Sequence, residues 1–213
     1  MASQTARAVS EADMAQVLKK EMHARILQAA GKQFAARGFE AVRLADIARE
    51  AGTAVSNIYK YVADKEALFL KVVTPDLAER HMQLLRARLD EFGERRPWTA
   101  LTDSQSSAAA KLLEFWVDHR HVAAILIGNA QGSRFAGVRE QIIEEMTSRA
   151  MKTQGKEEDG SLEFVLRRIF SATLDTICAI LQQYQKPEDI RKVIGCFWRF
   201  QLAGLQALLK DEA

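Results

Sequence analysis

The sequence predicts an all-α protein: an N-terminal three-helix helix-turn-helix domain followed by a larger helical domain. Three observations carry that prediction. The 213 residues include only three prolines and eleven glycines, so few positions interrupt a helix. Long runs are rich in Ala, Leu, Glu, Arg and Lys, which favour helix, and apolar residues recur at helical spacing in segment after segment. With 48% apolar and 27% charged residues, the composition is that of a folded domain with a core, which excludes global disorder.

Residues 1–20 are small and polar and read as a flexible arm. From Met22 the period changes: Ile26, Leu27, Ala30 and Phe34 mark a helix that stops at Arg37-Gly38-Phe39. A left-handed Gly38 there would bring Phe39 against Phe34, the contact of a Schellman ending. Leu44, Ile47, Ala48 and Ala51 make the apolar face of a two-turn helix that Gly52 breaks,. A second short helical run, 55–62, follows after Gly52-Thr53-Ala54, and two short helices joined by a glycine-bearing turn are the helix-turn-helix pattern. The spacing therefore sets a helix-turn-helix domain over 21–63 and a second domain over 64–213.

Asp64 is the expected N-cap of a long helix reaching about Phe92, kinked or divided at Pro75 and ended by Gly93 to Pro97,. Amphipathic runs follow at about 100–118, 120–128 and 135–151, and the polar stretch 152–160 reads as a loop. Two long helices close the chain. Ser161 is read as the cap of the first, whose stripe runs from Leu162 to Tyr184, and Pro187 takes the first turn of the second with Glu188 and Asp189,. That last helix is apolar around much of its circumference, more than one neighbouring helix covers.

The net charge of +2 names no partner, but its distribution is uneven. Residues 1–63 carry nine basic and six acidic side chains, leaving −1 for the remainder, and a basic end suits an anionic polymer. Cys178 and Cys196 lie in apolar stretches without metal-ligand spacing and read as buried thiols in a reducing compartment,. His119 and His121 are two apart and share no helix face, so no metal site is expected. His23 and His81 read as surface residues. With no GxSxG, GxxxxGK[ST] or HExxH and no apolar run of membrane-spanning length, the expectation is a cytoplasmic protein that is no enzyme and carries no cofactor.

Residues 24–72 resemble the DNA-binding domain of the TetR family of bacterial transcriptional regulators. The resemblance rests on Arg25-Ile-Leu-Gln-Ala-Ala30, Phe34-Ala-Ala-Arg-Gly-Phe39, Asp46-Ile-Ala-Arg-Glu-Ala-Gly52, Ile58-Tyr59-Lys60-Tyr61-Val62 and Asp64-Lys-Glu-Ala-Leu68. In a helix-turn-helix the second helix enters the major groove while flanking groups hold phosphates. Here that helix offers Val55, Ser56, Asn57, Lys60 and Tyr61, with Ile58 as its inward anchor. Asn57 suits adenine and Val55 a thymine methyl. The resemblance implies phosphate contacts for Tyr59 and Lys65; a cation in the first turn of a helix is mildly unfavourable, and a bound phosphate would reverse that. Two positions depart from the family pattern. Arg43 replaces a usual Thr or Ser and adds a phosphate or minor-groove contact, and Ala54 replaces a capping Ser, a role that Thr53 takes over one residue early.

The resemblance also places an effector cavity in the C-terminal half. Phe115, Trp116, Phe135 and Phe170 are its aromatic candidates, with Trp98, Met146 and Phe164, and His119, Asn129, Arg167 and Thr173 its polar ones. Phe170, Ile177, Ile194, Phe197, Trp198 and Leu205 are the expected interface of a homodimer built on the last two helices as a four-helix bundle. The resulting expectation is a repressor released from an inverted-repeat duplex operator by a small molecule. The alternative is an interaction module or coactivator of the same architecture that does not bind DNA.

Overall fold

The computed structural model describes residues 11–91, 107–155 and 158–209, and among them every regular element is a helix. In chain order they are α1 (Glu11–Ala41), α2 (Leu44–Glu50), α3 (Val55–Ile58), α4 (Lys65–Val72), α5 (Pro75–Glu91), α6 (Ala108–Asp118), α7 (Arg120–Ala124), a π-helical turn (Ile125–Asn129), α8 (Val138–Gln154), α9 (Gly160–Gln183) and α10 (Pro187–Leu209). Trp98 and the expected stop at Gly93 to Pro97 lie outside the described residues.

The fold begins with a departure from expectation. α1 is already helical at Glu11, so half of the stretch read as an arm is a helix. Residues 13–20 are all exposed, which is why no apolar period announces them,. Gly38 interrupts α1 at φ 79° and ψ 162°. This is positive φ but not the left-handed helical conformation, so the predicted Schellman ending does not form there. The Phe34–Phe39 contact does, with centroids 5.9 Å apart. The Schellman motif closes α2 instead: Gly52 stands at φ 64°, its N–H donates to Arg49 O at 3.2 Å, and the Thr53 N–H donates to Ala48 O at 2.9 Å,.

The expected long helix from Asp64 is two helices, divided just before Pro75. Asp64 Oδ1 accepts from Ala67 N at 2.7 Å to cap α4, and Thr74 Oγ1 accepts from Leu77 N at 3.3 Å at the start of α5. α9 starts one residue before Ser161, because Asp159 rather than Ser161 is its cap; Asp159 Oδ1 accepts from both Ser161 N and Leu162 N,.

α1 packs against α2, α4, α7 and the π-helical turn, so one helix carries the helix-turn-helix on one side and the body on the other. Two body amides meet on one α1 carbonyl beside the Gly38 break: Asn129 Nδ2 and Gln182 Nε2 both donate to Ala35 O at 2.6 Å. Phe34, Phe39 and Phe69 form a knot of edge-on and tilted rings at this junction, extended by Phe135. Gly128 lets α9 come close, since a Cβ there would stand 2.8 Å from Cys178 Sγ.

Two residue placements overturn the sequence reading. His81 is fully buried, not at the surface, and Cys196 is exposed, not buried. No described helix is long and apolar enough to cross a membrane.

Candidate functional site

Ile47, Ala48, Ile58 and Val62 are buried and fix α2 and α3 on the core. α3 itself is one turn, prolonged by Tyr59 N to Val55 O at 3.3 Å and Val62 N to Ile58 O at 3.2 Å. The Ile58 anchor leaves Ser56, Tyr59 and Lys60 exposed, Tyr59 by 55%, and Val55 and Asn57 half-buried. Arg43 is exposed at the N-terminus of α2, where its side chain makes no capping bond. Flanking ion pairs hold the two-helix unit to α1: Arg37 with Asp46 at 3.0 Å, and Lys32 with Glu50. Such exposed pairs are screened by solvent and contribute little to stability.

Three of the named residues have tasks that the sequence did not predict. Thr53 does not cap α3. The N-cap is Ala54, without a side-chain bond, and Thr53 Oγ1 accepts from Asn57 Nδ2 at 2.9 Å. Tyr61 is turned toward α1, where its ring stacks on His23 at 5.2 Å and its hydroxyl donates to Lys19 O at 3.3 Å.

Lys65 is half-buried rather than a freely solvated surface group. Its Nζ donates to Phe39 O at 2.8 Å, Val42 O at 3.2 Å and Glu40 O at 3.3 Å, and lies 4.4 Å from the centroid of the Phe39 ring. The carbonyl end of α1 compensates the cation that the first turn of α4 disfavours.

Within the body, an apolar cavity of about 100 Å³ lies among α5, α6, α8, α9 and α10. Trp116, Phe170, Thr173 and Met146 line it. The other effector candidates lie elsewhere. Phe115 packs with His81 and His119, Asn129 is bonded to α1, and Phe135 belongs to the phenylalanine knot. Arg167 pairs with Glu140 and Glu144, and Phe164 is 67% exposed. Among the described residues no group of three His, Cys, Asp or Glu side chains is placed to hold a metal.

The expected dimer residues are also redistributed. Phe170, Ile177, Ile194 and Leu205 are buried within the single chain, Phe170 and Leu205 in one cluster with Leu166 and Leu209. Phe197 and Trp198 are half-buried. What α10 leaves exposed is the stripe Cys196, Phe200, Ala203, Gly204, Ala207 and Leu208, with Phe200 75% exposed. Phe164, Val165 and Ala172 on α9 are exposed as well.

Comparison with known proteins agrees with the helix-turn-helix geometry. A 73-residue stretch, 34% of this chain, is 34% identical to the HTH-type transcriptional regulator YdgC of Bacillus subtilis strain 168, spanning 37% of that protein's length. Among solved structures, a TetR family transcriptional regulator from Chloroflexus aurantiacus aligns over 89% of this chain and 90% of its own, with 15% identity and a TM-score of 0.46. The fatty acid degradation regulator FadR from Bacillus halodurans aligns over 86% and 96%, with 16% identity and a TM-score of 0.42. Residues 26–72 match the family model of the bacterial regulatory proteins of the tetR family, so this segment is similar to the helix-turn-helix of that family.

Proposed function

We propose that the chain is a ligand-responsive repressor acting as a homodimer on an inverted-repeat duplex operator in the cytoplasm. The observation that supports this reading best is the exposed set Arg43, Ser56, Tyr59 and Lys60 on an α2–α3 unit held rigid by Ile47, Ile58 and Val62. In this reading Ser56, Asn57 and Val55 meet base edges, while Arg43, Tyr59 and Lys60 hold phosphates. Thr53 takes one of the two N–H groups of the Asn57 amide, which leaves the other N–H and Oδ1 for adenine and orients the base-reading group in the free protein,.

The α10 stripe of Phe200, Ala203, Gly204 and Leu208 is the proposed seam with a second copy, joined by Phe164 and Val165. Small residues between bulky ones let two helices approach closely, and a closed twofold pair is the default for such a surface. The cavity beside Trp116, Phe170 and Thr173 is the proposed effector site. At about 100 Å³ it must widen to admit a drug-sized molecule,. That widening couples ligand to DNA if the enlarged body holds the two recognition helices at the wrong spacing.

Equilibrium binding to duplex DNA at several salt concentrations tests the reading. Affinity should fall steeply with salt as counterions are released. Absence of binding to any duplex at low salt, in protein free of effector, would leave the interaction-module reading in its place.

A further inference from the structure

A second, polar recess of about 420 Å³ lies where α1 and the end of α2 face α7 and the end of α9. It is separate from both the α3 surface and the apolar cavity. Arg25, Lys32, Arg120 and His121 line it, with Glu50 as its carboxylate. Lys32 is bonded to Glu50, so those two charges offset one another. The arginines are left over. Arg25 Nη2 donates to Ala51 O at 2.5 Å, at the end of α2, and Arg120 Nη1 donates to Leu181 O at 3.3 Å, near the end of α9. Each contact occupies one N–H of a guanidinium that has five. Among the described residues neither arginine has a carboxylate partner.

His121 is pushed down to about 4 by burial and by the Arg120 and Lys32 charges, so it is neutral at pH 7 and adds no charge of its own. Burial also lowers Arg120. Two guanidinium groups with spare donors, on facing walls of a recess that holds one already-paired carboxylate, make a complement to planar or tetrahedral oxyanions.

We propose that this recess binds a small organic or inorganic oxyanion, a carboxylate or a phosphate, held by Arg25 from the helix-turn-helix side and by Arg120 from the body side. The exposed amides of Gln28 and Gln185 line the same space and supply neutral donors. Because its two arginines brace the ends of α2 and α9, the bound anion ties the turn before the recognition helix to the body. Binding itself does not depend on the DNA-binding reading, and it is measured on the protein without DNA.

The test is calorimetric titration of the full chain with inorganic phosphate, pyrophosphate and citrate at constant ionic strength, with thermal unfolding in parallel. At least one of the three is expected to bind once per chain and to raise the unfolding temperature. Arg120→Gln and Arg25→Gln, each checked for unchanged helix content, should each weaken it about tenfold or more. Arg134→Gln, which removes an exposed cation elsewhere, should leave it unchanged. Binding by citrate alone identifies a carboxylate site, and binding by the phosphates alone a phosphate site. Arg25→Lys should lose most of the affinity despite keeping the charge, since an ammonium has no fork. If none of the three binds at concentrations up to about 10 mM, or if binding survives in Arg120→Gln, the proposal is wrong.

Discussion

Lys65 Nζ donates to the carbonyl of Phe39 at 2.8 Å and lies over the same residue's ring. A lysine at the first position of α4 thereby closes the end of α1 and fixes the angle at which the helix-turn-helix leaves its supporting helix. Lys65→Ala should lower stability by about 1.5–3 kcal/mol, because a charged donor is withdrawn from three carbonyls. Urea unfolding measures that loss. The salt slope of duplex binding should stay at the wild-type value; a slope lower by about one would instead return Lys65 to the phosphate contacts.

Burial explains a second expectation, at acid pH. His81 is completely buried, its two ring nitrogens have no hydrogen-bond partner among the described residues, and burial pushes its pKa down from 6.5 to about 4. The folded state thus holds the imidazole neutral while the unfolded chain takes up a proton. The stability this provides is complete above about pH 6.5 and is lost as pH falls toward 4, by about 3 kcal/mol over the window. His81→Leu should flatten that limb of the stability–pH curve in thermal unfolding, and it should unfold no more readily than wild type at pH 5.

Those two residues also mark what the sequence makes legible. The break at Pro75, the cap at Asp64 and the turn at Gly52 depend on local chemistry, and the residue types alone announce them. Lys65 depends on where a long side chain swings, which no spacing encodes. His81 falls on the buried face of α5 between Ala78 and Met82, but a polar residue there reads as surface until its neighbours Phe115 and Trp116 are seen. The exposed start of α1 escapes notice because, among the described residues, it packs on nothing that would impose an apolar period,.

α10 shows the same division. Its sequence reveals that it is apolar around much of its circumference but not which side its own chain covers. Leu205 lies on the covered side, so Leu205→Glu should unfold the body. Phe200 lies on the open side, so Phe200→Glu should yield folded monomers. Sedimentation with circular dichroism separates the outcomes, and a Phe200→Glu protein that remains dimeric would move the seam away from α10.

On the recognition helix, base and phosphate contacts should fail differently. Asn57→Ala should cost roughly 1–3 kcal/mol per base contact on the preferred duplex and relax one position in each half-site. Lys60→Ala should weaken every duplex alike and lower the salt slope by about one per subunit contact. Competition binding on preferred and scrambled duplexes reads both.

The most direct measurement is selection of bound sequences from a random duplex pool by the effector-free wild-type protein. Enrichment is expected for an inverted repeat whose half-sites lie about one helical turn, or a multiple of it, apart, and it should be lost when Asn57 and Lys60 are both replaced by Ala. A pool that stays random at low salt, or enrichment that persists in the double variant, would contradict it.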